Sequence, residues 1–236
     1  MINLKRMNSI NFLVTGANNG IGYEIVKILA QNQFYNIFTL SRSTNKLEDF
    51  ASKLESKNVF PIEFDLLKDD ISIIKSKIPY LNVLINNAGV LYNSPFNETT
   101  ENQIRETFEI NYFKPLELIR SLLPIFRSNP YAHILNIGSM GGFQGSEKFP
   151  GLSVYSSSKA AIACLTECLA IELAQFNIKI NCLSLGSVQT NMLEKAFPGY
   201  KAQTNPLEIA QFIVDFATER HRLFNGKNIP VALSSP

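Results

Sequence analysis

A tyrosine and a lysine stand four residues apart in the stretch SVYSSSKAAIA, at Tyr155 and Lys159. Residues at positions i and i+4 lie on the same face of a helix. A phenol with its ordinary pKa near 10 is a poor base at pH 7, but a nearby ammonium group favours the phenolate and lowers that pKa. A tyrosine tuned in this way can exchange a proton with a substrate oxygen. The pair indicates acid–base chemistry, although the same spacing also occurs as a plain pair on a solvated helix face.

A glycine-rich turn, TGANNGIG, follows the first apolar run and places glycines at positions 16, 20 and 22. Glycine permits a tight turn and the close approach of a ligand to the backbone. A helical apolar pattern follows, and a helix N-terminus offers free N–H groups and a positive dipole end to a pyrophosphate. An ordinary tight turn is the alternative. The position after the first strand favours a dinucleotide, because dinucleotides bind at the carboxyl ends of such strands.

Strand-like apolar runs alternate with helical patterns along the chain. This alternation predicts βαβ units and a parallel sheet covered on both faces. The fold class is therefore α/β, a Rossmann-like, doubly wound parallel sheet with helices on both faces, and residues 1–236 form a single dinucleotide-binding and catalytic domain. A helix is predicted over 206–220, which has Pro206 and Glu208 in its first turn and ends with Arg220. The predicted strands are 10–14, 36–40, 59–64, 81–85, 133–137, 178–184 and 228–233.

Composition excludes several other classes of protein. A net charge of +2 does not favour nucleic acid or a membrane surface as partner. No apolar run approaches the length of a membrane span, and the N-terminal segment lacks the pattern of a signal peptide. Three cysteines (Cys164, Cys168, Cys182) and two histidines (His133, His221) make a metal site or a histidine-based triad improbable, so we expect no metal. The cysteines are expected to be small core residues of a cytoplasmic protein.

The motifs together resemble those of the short-chain dehydrogenase/reductase family, in its compact oxidoreductase branch. The resemblance covers nearly the whole chain, and the ordered set is far more specific than any one motif. The motifs that carry it, in chain order, are TGANNGIG, NNAG at 86–89, Asn111, Ser139, Tyr155-x-x-x-Lys159 and Gly186-x-Val188-x-Thr190.

The resemblance implies a nicotinamide cofactor and a set of residues that contact it. By position in the family pattern, the pyrophosphate and adenosine ribose would be lined by Gly16, Asn18, Asn19 and Ile21. The adenine would be contacted by Asp65 and Leu66, and the adenosine side of the cofactor would pass close to Asn87, Ala88 and Gly89. The nicotinamide carboxamide would meet Val188 and Thr190.

The resemblance also implies the reaction, a hydride transfer between the nicotinamide and a carbonyl or secondary alcohol, with a small-molecule substrate. Tyr155 would give the proton to the developing alkoxide, and Ser139 would stabilise that oxygen. Lys159 would lower the tyrosine pKa and hold the nicotinamide ribose, and Asn111 would help hold a water near Lys159. Two alternatives stay open: a non-catalytic dinucleotide-binding regulator or scaffold, and an enzyme of sugar-nucleotide or acyl-carrier metabolism with the same chemistry.

The end of the second strand predicts NADP(H) rather than NAD(H) as cofactor. An NAD-preferring site needs an acidic residue there, to accept a hydrogen bond from the adenosine ribose 2′-OH. This chain has Ser41-Arg42 instead, and no acid follows until Glu48. A hydroxyl and a guanidinium suit a 2′-phosphate. In the alternative interpretation, Arg42 lies on the surface or stacks on the adenine with either cofactor.

The chain departs from the family pattern in three places. Ser139 and Tyr155 are 16 residues apart, a few more than is common, and the segment 141–152 is expected to shape the substrate mouth. Leu185 stands where the family usually has proline, and only residues 191–205 are left to cover the substrate. This short lid suggests an open cleft or a small helix.

Two segments, 106–126 and 158–176, carry more apolar residues than one core-facing stripe needs. Related proteins use the corresponding helices to form dimers that often pair into tetramers. The sequence therefore predicts a homodimer or homotetramer, unless both helices are simply well buried within one subunit.

Overall fold

One parallel sheet of seven strands organises the computed structural model, which describes residues 9–55, 57–127 and 131–233. The strand order is β3-β2-β1-β4-β5-β6-β7. The strands are β1 (Ile10–Thr15), β2 (Tyr35–Ser41), β3 (Val59–Glu63), β4 (Val83–Asn86), β5 (Ala132–Ser139), β6 (Ile178–Leu185) and β7 (Asn228–Val231). All seven strands predicted from the apolar runs are therefore confirmed.

Helices connect the strands. They are α1 (Gly20–Leu29), α2 (Asn45–Ser52), α3 (Ser72–Lys77), α4 (Glu101–Phe108), α5 (Lys114–Arg127), α6 (Ser153–Glu172), α7 (Asn191–Ala196) and α8 (Pro206–Thr218). A π-helical turn, Glu109–Phe113, joins α4 to α5. The predicted helix 206–220 is α8, which ends two residues early, at Thr218. No helix within the described ranges is long and apolar enough to cross a membrane.

Side-chain caps fix where some helices begin. At α4, Thr100 accepts a hydrogen bond from the Gln103 backbone N–H at 3.3 Å, and the Gln103 side chain accepts one from the Thr100 N–H at 2.9 Å. At α8, Asn205 Oδ1 accepts from the Glu208 N–H at 2.9 Å, directly before the proline that opens the helix. Each cap satisfies N–H groups that have no partner within the helix.

Apolar side chains are buried on both faces of the sheet. On one face, Ile25 of α1 and Ile213 of α8 lie in the same cluster. On the other, Leu122 and Phe126 of α5 pack in a cluster with Leu84 of β4. Burying one such side chain completely contributes about 1.5–3 kcal/mol to folding. The two layers hold the sheet rigid, so that the loops at its carboxyl edge keep fixed positions.

The strand order reverses between β1 and β4. From β1 the chain builds outward through β2 and β3, then crosses back to β4 on the other side of β1. The loops that follow β1 and β4 therefore leave in opposite directions and open a crevice between them. In sheets of this kind, ligands bind at that crevice.

Two stacked histidines lie near the edge of the sheet where its strands begin, opposite the carboxyl edge. The rings of His133 and His221 have centroids 4.2 Å apart and an interplanar angle of 19°, and neither residue is exposed. The Asn181 side-chain amide lies 3.3 Å from His133 Nε2, and the Tyr131 hydroxyl contacts His221 Nε2. His221 Nδ1 lies 3.0 Å from the Phe216 carbonyl oxygen, to which its N–H donates. This environment suits neutral imidazole rings.

Burial disfavours the charged form of both rings. It lowers the pKa of His133 to about 3, and the nearby Lys179 ammonium adds to that shift against an opposing hydrogen bond with the Ala217 backbone. Burial also lowers the pKa of His221, and the Arg222 guanidinium acts in the same direction. An unfolded histidine has a pKa of about 6.5. The resulting stability is present above that value and is lost as the pH falls toward the folded-state pKa.

We expect the free energy of unfolding to fall as the pH is lowered from about 7 to about 5.5, since only the unfolded chain then takes up these protons. Each histidine makes the free energy of unfolding change with pH by an amount that approaches about 1.4 kcal/mol per pH unit. His133→Phe keeps an aromatic ring in the stack, and we expect it to lower stability at pH 7 but to reduce the pH slope. Urea unfolding at the two pH values measures the stability and its pH dependence for wild type and variant. An equal change in the free energy of unfolding between the two pH values in both proteins would contradict the role of His133.

Candidate active site

Hydrogen bonds join the ends of β1 and β4 at the crevice. The Thr15 hydroxyl oxygen accepts from the backbone N–H groups of Asn87 at 3.0 Å and Ala88 at 2.9 Å. In return, the Asn87 side-chain amide donates to the carbonyl oxygens of Thr15 at 2.9 Å and Gly16 at 3.2 Å. The Asn87 side chain therefore holds the two strand ends together, so any contact it makes with a ligand comes in addition to this structural role.

The glycine turn is packed too tightly for side chains. Gly16 has φ +65°, and a Cβ there would lie 2.8 Å from Ala88 Cα. A Cβ on Gly22 would lie 2.4 Å from the Gly16 carbonyl oxygen. Both distances are too short for real atoms. The backbone of the turn can therefore approach the end of β4, and a ligand can lie directly on the turn.

Two asparagines of the turn leave polar groups available. Asn18 Oδ1 is buried and has no hydrogen-bond partner among the described residues. It is an acceptor, which a ribose hydroxyl would satisfy and a pyrophosphate, having no donor, would not. Asn19 precedes α1, and its side chain makes no capping hydrogen bond. The first N–H groups of α1 therefore keep donors for an anion.

The end of β5 and the start of α6 bring the candidate catalytic side chains together. Ser139 is the last residue of β5, Tyr155 lies in the first turn of α6, and Lys159 lies one turn later. The intervening segment packs on α6, since a Cβ on Gly142 would lie 2.5 Å from the Ala160 nitrogen. The unusually long spacing between Ser139 and Tyr155 is thus accommodated beside the site without separating the two side chains.

Lys159 is a buried cation tied to the neighbouring strand. Its side chain is only 5% exposed, and Nζ donates to the Ile137 carbonyl oxygen at 2.8 Å. Burial lowers the pKa of Lys159 to about 8. The ammonium lies 5.9 Å from the centroid of the Tyr155 ring. The predicted proximity of phenol and ammonium on one helix face is therefore present.

The predicted direction of the Tyr155 pKa shift is wrong. Burial raises the pKa of Tyr155, and a hydrogen bond with the Ser139 hydroxyl opposes this shift only in part. The ammonium of Lys159 lies beside the ring and bonds to Ile137 instead of the phenol oxygen. Tyr155 is consequently held in its neutral, proton-donating form.

Asn111 lies in the π-helical turn between α4 and α5, a distortion that often marks functional sites. Its amide accepts from the Val90 N–H at 2.9 Å and donates to the Val90 carbonyl oxygen and the Ser158 hydroxyl, both at 3.0 Å. It is buried and does not line the cavity. A Cβ on Gly89 would be 3.2 Å from Asn111 Oδ1 and 3.5 Å from Lys159 Nζ. The two polar groups thus border the same space.

One cavity of about 790 Å³ contains the remaining predicted site residues. It runs along the carboxyl edge of the sheet from the end of β3 to the end of β7. The predicted residues that line it are Gly16, Asn18, Asn19, Ile21, Ser41, Arg42, Asp65, Leu66, Asn87, Ala88, Gly89, Ser139, Tyr155, Lys159, Val188 and Thr190.

One end of this cavity, which contains the residues predicted to meet the adenosine, is formed by the loops after β2 and β3. The Ser41 hydroxyl donates to the Ser43 carbonyl oxygen at 2.8 Å, while Arg42 is exposed. Asp65 Oδ1 accepts from the Leu67 N–H at 3.0 Å, so this carboxylate stabilises its own turn. Arg42 is the cationic residue that lines the cavity at this end, while the Lys68 ammonium lies 3.6 Å from the Asp65 carboxylate outside the lining.

The opposite end of the cavity is covered by the small helix α7. Of the two arrangements that the short segment 191–205 suggested, an open cleft or a small helix, the structure has the helix. Thr190 caps α7 by accepting from the Leu193 N–H at 3.2 Å. The Asn93 side chain donates to the Ala196 carbonyl oxygen at 2.8 Å, where α7 ends. The backbone of Ser94 also bonds to Gly151 at 3.1 Å. The loop after β4 thus joins the lid to the segment 141–152.

Several residues at this end were not identified as site residues from the sequence. Glu147, Leu152 and Tyr200 line the cavity and belong to the two segments whose lengths are unusual. The unusual length of these two segments was therefore the only feature of the sequence that pointed to these three residues. The apolar side chains of Leu91, Phe149, Met192 and Phe197 also line the cavity, whereas the aromatic side chains of Tyr92, Phe96 and Phe143 do not.

The sequence matches the family model of short chain dehydrogenases over residues 11–201. The chain belongs to the short-chain dehydrogenase family. A mouse short-chain dehydrogenase, dehydrogenase/reductase SDR family member 7B, is 32% identical over 191 residues, which are 76% of this chain and 58% of the relative. This chain therefore spans less than two thirds of that relative. Membership places the chain among the oxidoreductases.

Solved structures of other dehydrogenases share the fold of this short-chain dehydrogenase. A 4-hydroxyisoleucine dehydrogenase complexed with NADH has a TM-score of 0.83 at 22% identity, and the match covers 95% of this chain and 97% of the other. ElxO with NADP bound has a TM-score of 0.82 at 24% identity, with the same coverage of 95% and 97%. The seven-stranded sheet and its helices are thus those of the family.

The tight turn of this short-chain dehydrogenase predicts a large effect of Gly16→Ala. A positive φ costs a non-glycine residue about 1–2 kcal/mol, and the clash with Ala88 adds to it. Gly145 is a matched control, because it has φ +81° but no atom within 4 Å of its Cβ position. In urea unfolding, Gly16→Ala should lose clearly more stability than Gly145→Ala. Equal losses would show that the close approach to Ala88 is unimportant.

Proposed function

We propose that this protein is an NADP(H)-dependent carbonyl reductase or alcohol dehydrogenase, with Tyr155 as proton donor or acceptor. The observation that supports this most is one continuous cavity. One wall of the cavity contains Ser139, Tyr155 and Lys159. The glycine turn and Arg42 line the same cavity farther along the carboxyl edge of the sheet. A dinucleotide that extends from Arg42 across the turn would bring its nicotinamide end to Tyr155.

The residues present fit such a cofactor. The turn at Gly16 has no room for a side chain, α1 leaves its first N–H groups uncapped, and Asn18 offers an acceptor to a ribose hydroxyl. Val188 and Thr190 line the wall near the lid, where a carboxamide would lie. When bound, the nicotinamide supplies or accepts the hydride.

The protein's own residues supply position and the proton. In the reductive direction, a carbonyl oxygen beside Tyr155 receives the phenolic proton as negative charge develops on it. Burial keeps the pKa of Tyr155 above its ordinary value, so the phenol is protonated at neutral pH. The hydroxyl of Ser139 donates a second hydrogen bond to the same oxygen, which stabilises the developing charge.

Lys159 places a positive charge beneath the reacting atoms. Its pKa of about 8 leaves the ammonium largely charged at pH 7, where it stabilises the phenolate left behind by proton transfer. Nζ also keeps donors for a ribose hydroxyl, since among the described residues only the Ile137 carbonyl oxygen accepts a hydrogen bond from it. We further propose that Asn111 and Lys159, which border the same space at Gly89, hold a water that returns the proton.

Tyr155→Phe should lower kcat for carbonyl reduction by at least about 100-fold, because the variant cannot donate a proton. The NADPH dissociation constant should change little, and Tyr80→Phe serves as control, since its hydroxyl bonds Ser9 far from the cavity. NADPH consumption over a panel of ketones, aldehydes and quinones provides the measurement. A variant within a few-fold of wild type would refute the role of Tyr155, and a wild type that binds NADPH without turnover would favour the non-catalytic alternative.

The preference for NADP(H) is proposed from Ser41 and Arg42. One of the similar structures contains NADH and the other contains NADP, so they do not indicate which of the two cofactors this chain prefers. In this chain the residue after β2 is an exposed arginine that lines the cavity, and the last residue of β2 is a serine. Glu63, in register with Ser41 on β3, does not line the cavity. A 2′-phosphate would therefore meet a cation and a hydroxyl.

We expect kcat/KM to be higher with NADPH than with NADH. The double substitution Ser41→Asp/Arg42→Ala should abolish or reverse this preference, because it removes the cation and adds a carboxylate for the ribose 2′-OH. Steady-state kinetics with both cofactors at one fixed carbonyl concentration decides the matter. A wild type that is equally or more efficient with NADH would refute the role of the Ser41–Arg42 pair and leave the Tyr155 chemistry unaffected.

We also propose that the protein is a homodimer or homotetramer. α6 exposes a stripe of small or apolar side chains along its length, namely Ala160, Cys164, Cys168 and Ile171. Ile171 is 82% exposed, and Phe113, the last residue of the π-helical turn before α5, is 49% exposed. An apolar stripe on a helix that packs its other face into the core favours contact with a second copy.

Light scattering at micromolar concentration should give a mass of at least twice the chain mass. Ile171→Glu should lower it toward that of one chain, because a carboxylate in an apolar interface is unfavourable. Ile73→Glu is the matched control on α3, where the isoleucine is also exposed, at 42%. A monomeric wild type would refute the proposal.

A further inference from the structure

Charged side chains line the cavity at four places among the described residues. Arg42 and Asp65 lie at the end predicted to meet the adenosine, and Lys159 lies beneath Tyr155. The fourth is Glu147, in the segment 141–152. The end of the cavity beyond Tyr155, where a substrate would enter, therefore has a carboxylate as its charged group.

Several large side chains at this end are mainly apolar although water reaches them. Phe149 is 54% exposed, Met192 is 40% exposed and Tyr200 is 50% exposed. They come from two different segments and line the same cavity, together with Leu152 and Phe197. Large apolar side chains that stay exposed around one opening indicate a binding surface for an apolar ligand.

Among the described residues, no lysine other than Lys159 lines the cavity, and Lys195 on α7 is exposed outside the lining. Lys159 Nζ is buried and bonded to Ile137. Lys148 follows Glu147 but donates to the Phe143 carbonyl oxygen at 2.7 Å and the Ser146 hydroxyl at 2.6 Å, and it does not line the cavity. Lys201 lies 3.8 Å from the Glu194 carboxylate and also stays outside the lining.

We propose that this site selects apolar carbonyl substrates without negative charge, and that Glu147 sets the selection by favouring a cationic substituent over an anionic one. A carboxylate bound among these apolar walls loses its hydration without gaining a counter-ion. It also approaches the like charge of Glu147, an unfavourable contact that discriminates between substrates. An ammonium in the same position meets an opposite charge. The proposal rests on the proposed function, whose reaction it narrows to one substrate class.

The test uses three aryl ketones that differ only at one para position: unsubstituted, aminomethyl and carboxylate. We propose to measure kcat/KM for each ketone with NADPH, and the dissociation constant of each ketone from the NADP⁺-loaded protein, which cannot reduce it, by calorimetry. The carboxylate ketone should be at least about tenfold worse than the unsubstituted one in both measurements, because it is desolvated without a partner. Glu147→Gln should reduce the ratio of ammonium to carboxylate affinity about fivefold, the upper range for an exposed ion pair.

Glu98→Gln is the matched control, because Glu98 is exposed and does not line the cavity. Equal or better binding of the carboxylate ketone, or an affinity ratio that Glu147→Gln leaves unchanged, overturns the proposal even if all three ketones are reduced. Absence of turnover with all three contradicts the proposed function instead. In that case the binding constants still decide the charge selection, since calorimetry does not require a reaction.

Discussion

The hydrogen bonds between Thr15 and the Asn87–Ala88 backbone hold the sheet together where its strand order reverses. This joint keeps the ends of β1 and β4 close while the loops that follow them diverge. Because Gly16 lies against Ala88, no side chain can occupy that position, and the crevice begins at bare backbone. The glycine turn, the uncapped start of α1 and the cavity along the carboxyl edge all depend on this close contact.

The chemistry on the other side of the crevice depends on burial. Lys159 is removed from water and lies beside Tyr155, and burial shifts the pKa of the lysine down and that of the tyrosine up. The proton affinities of the two groups therefore move apart, so that the phenol of Tyr155 keeps its proton more firmly while Lys159 is still largely an ammonium at pH 7. Such a pair can pass a proton to a substrate oxygen and stabilise the phenolate that remains, which neither residue does alone in water.

Most of the fold follows from local patterns, and so does the position of the glycine turn at the cavity. The strand-like apolar runs predict seven strands close to their observed bounds, and the glycine turn lies after β1 as its composition predicts. The direction of the Tyr155 pKa was missed because helical spacing contains no information on burial. The bond from Asn93 to Ala196 joins residues 103 positions apart, and the stacking of His133 on His221 joins distant segments as well. Sequence patterns do not specify contacts of that range.

The proposed hydride transfer takes place in the cavity beside Tyr155. The most direct test is a reaction of an apolar ketone with NADPH that carries deuterium at one or the other face of nicotinamide C4. A cofactor held in one orientation against the wall of Ser139 and Tyr155 should transfer deuterium to the carbinol carbon from one face only, and Tyr155→Phe should give almost no product. An alcohol without deuterium from either labelled cofactor, or with deuterium from both faces equally, would contradict the claim.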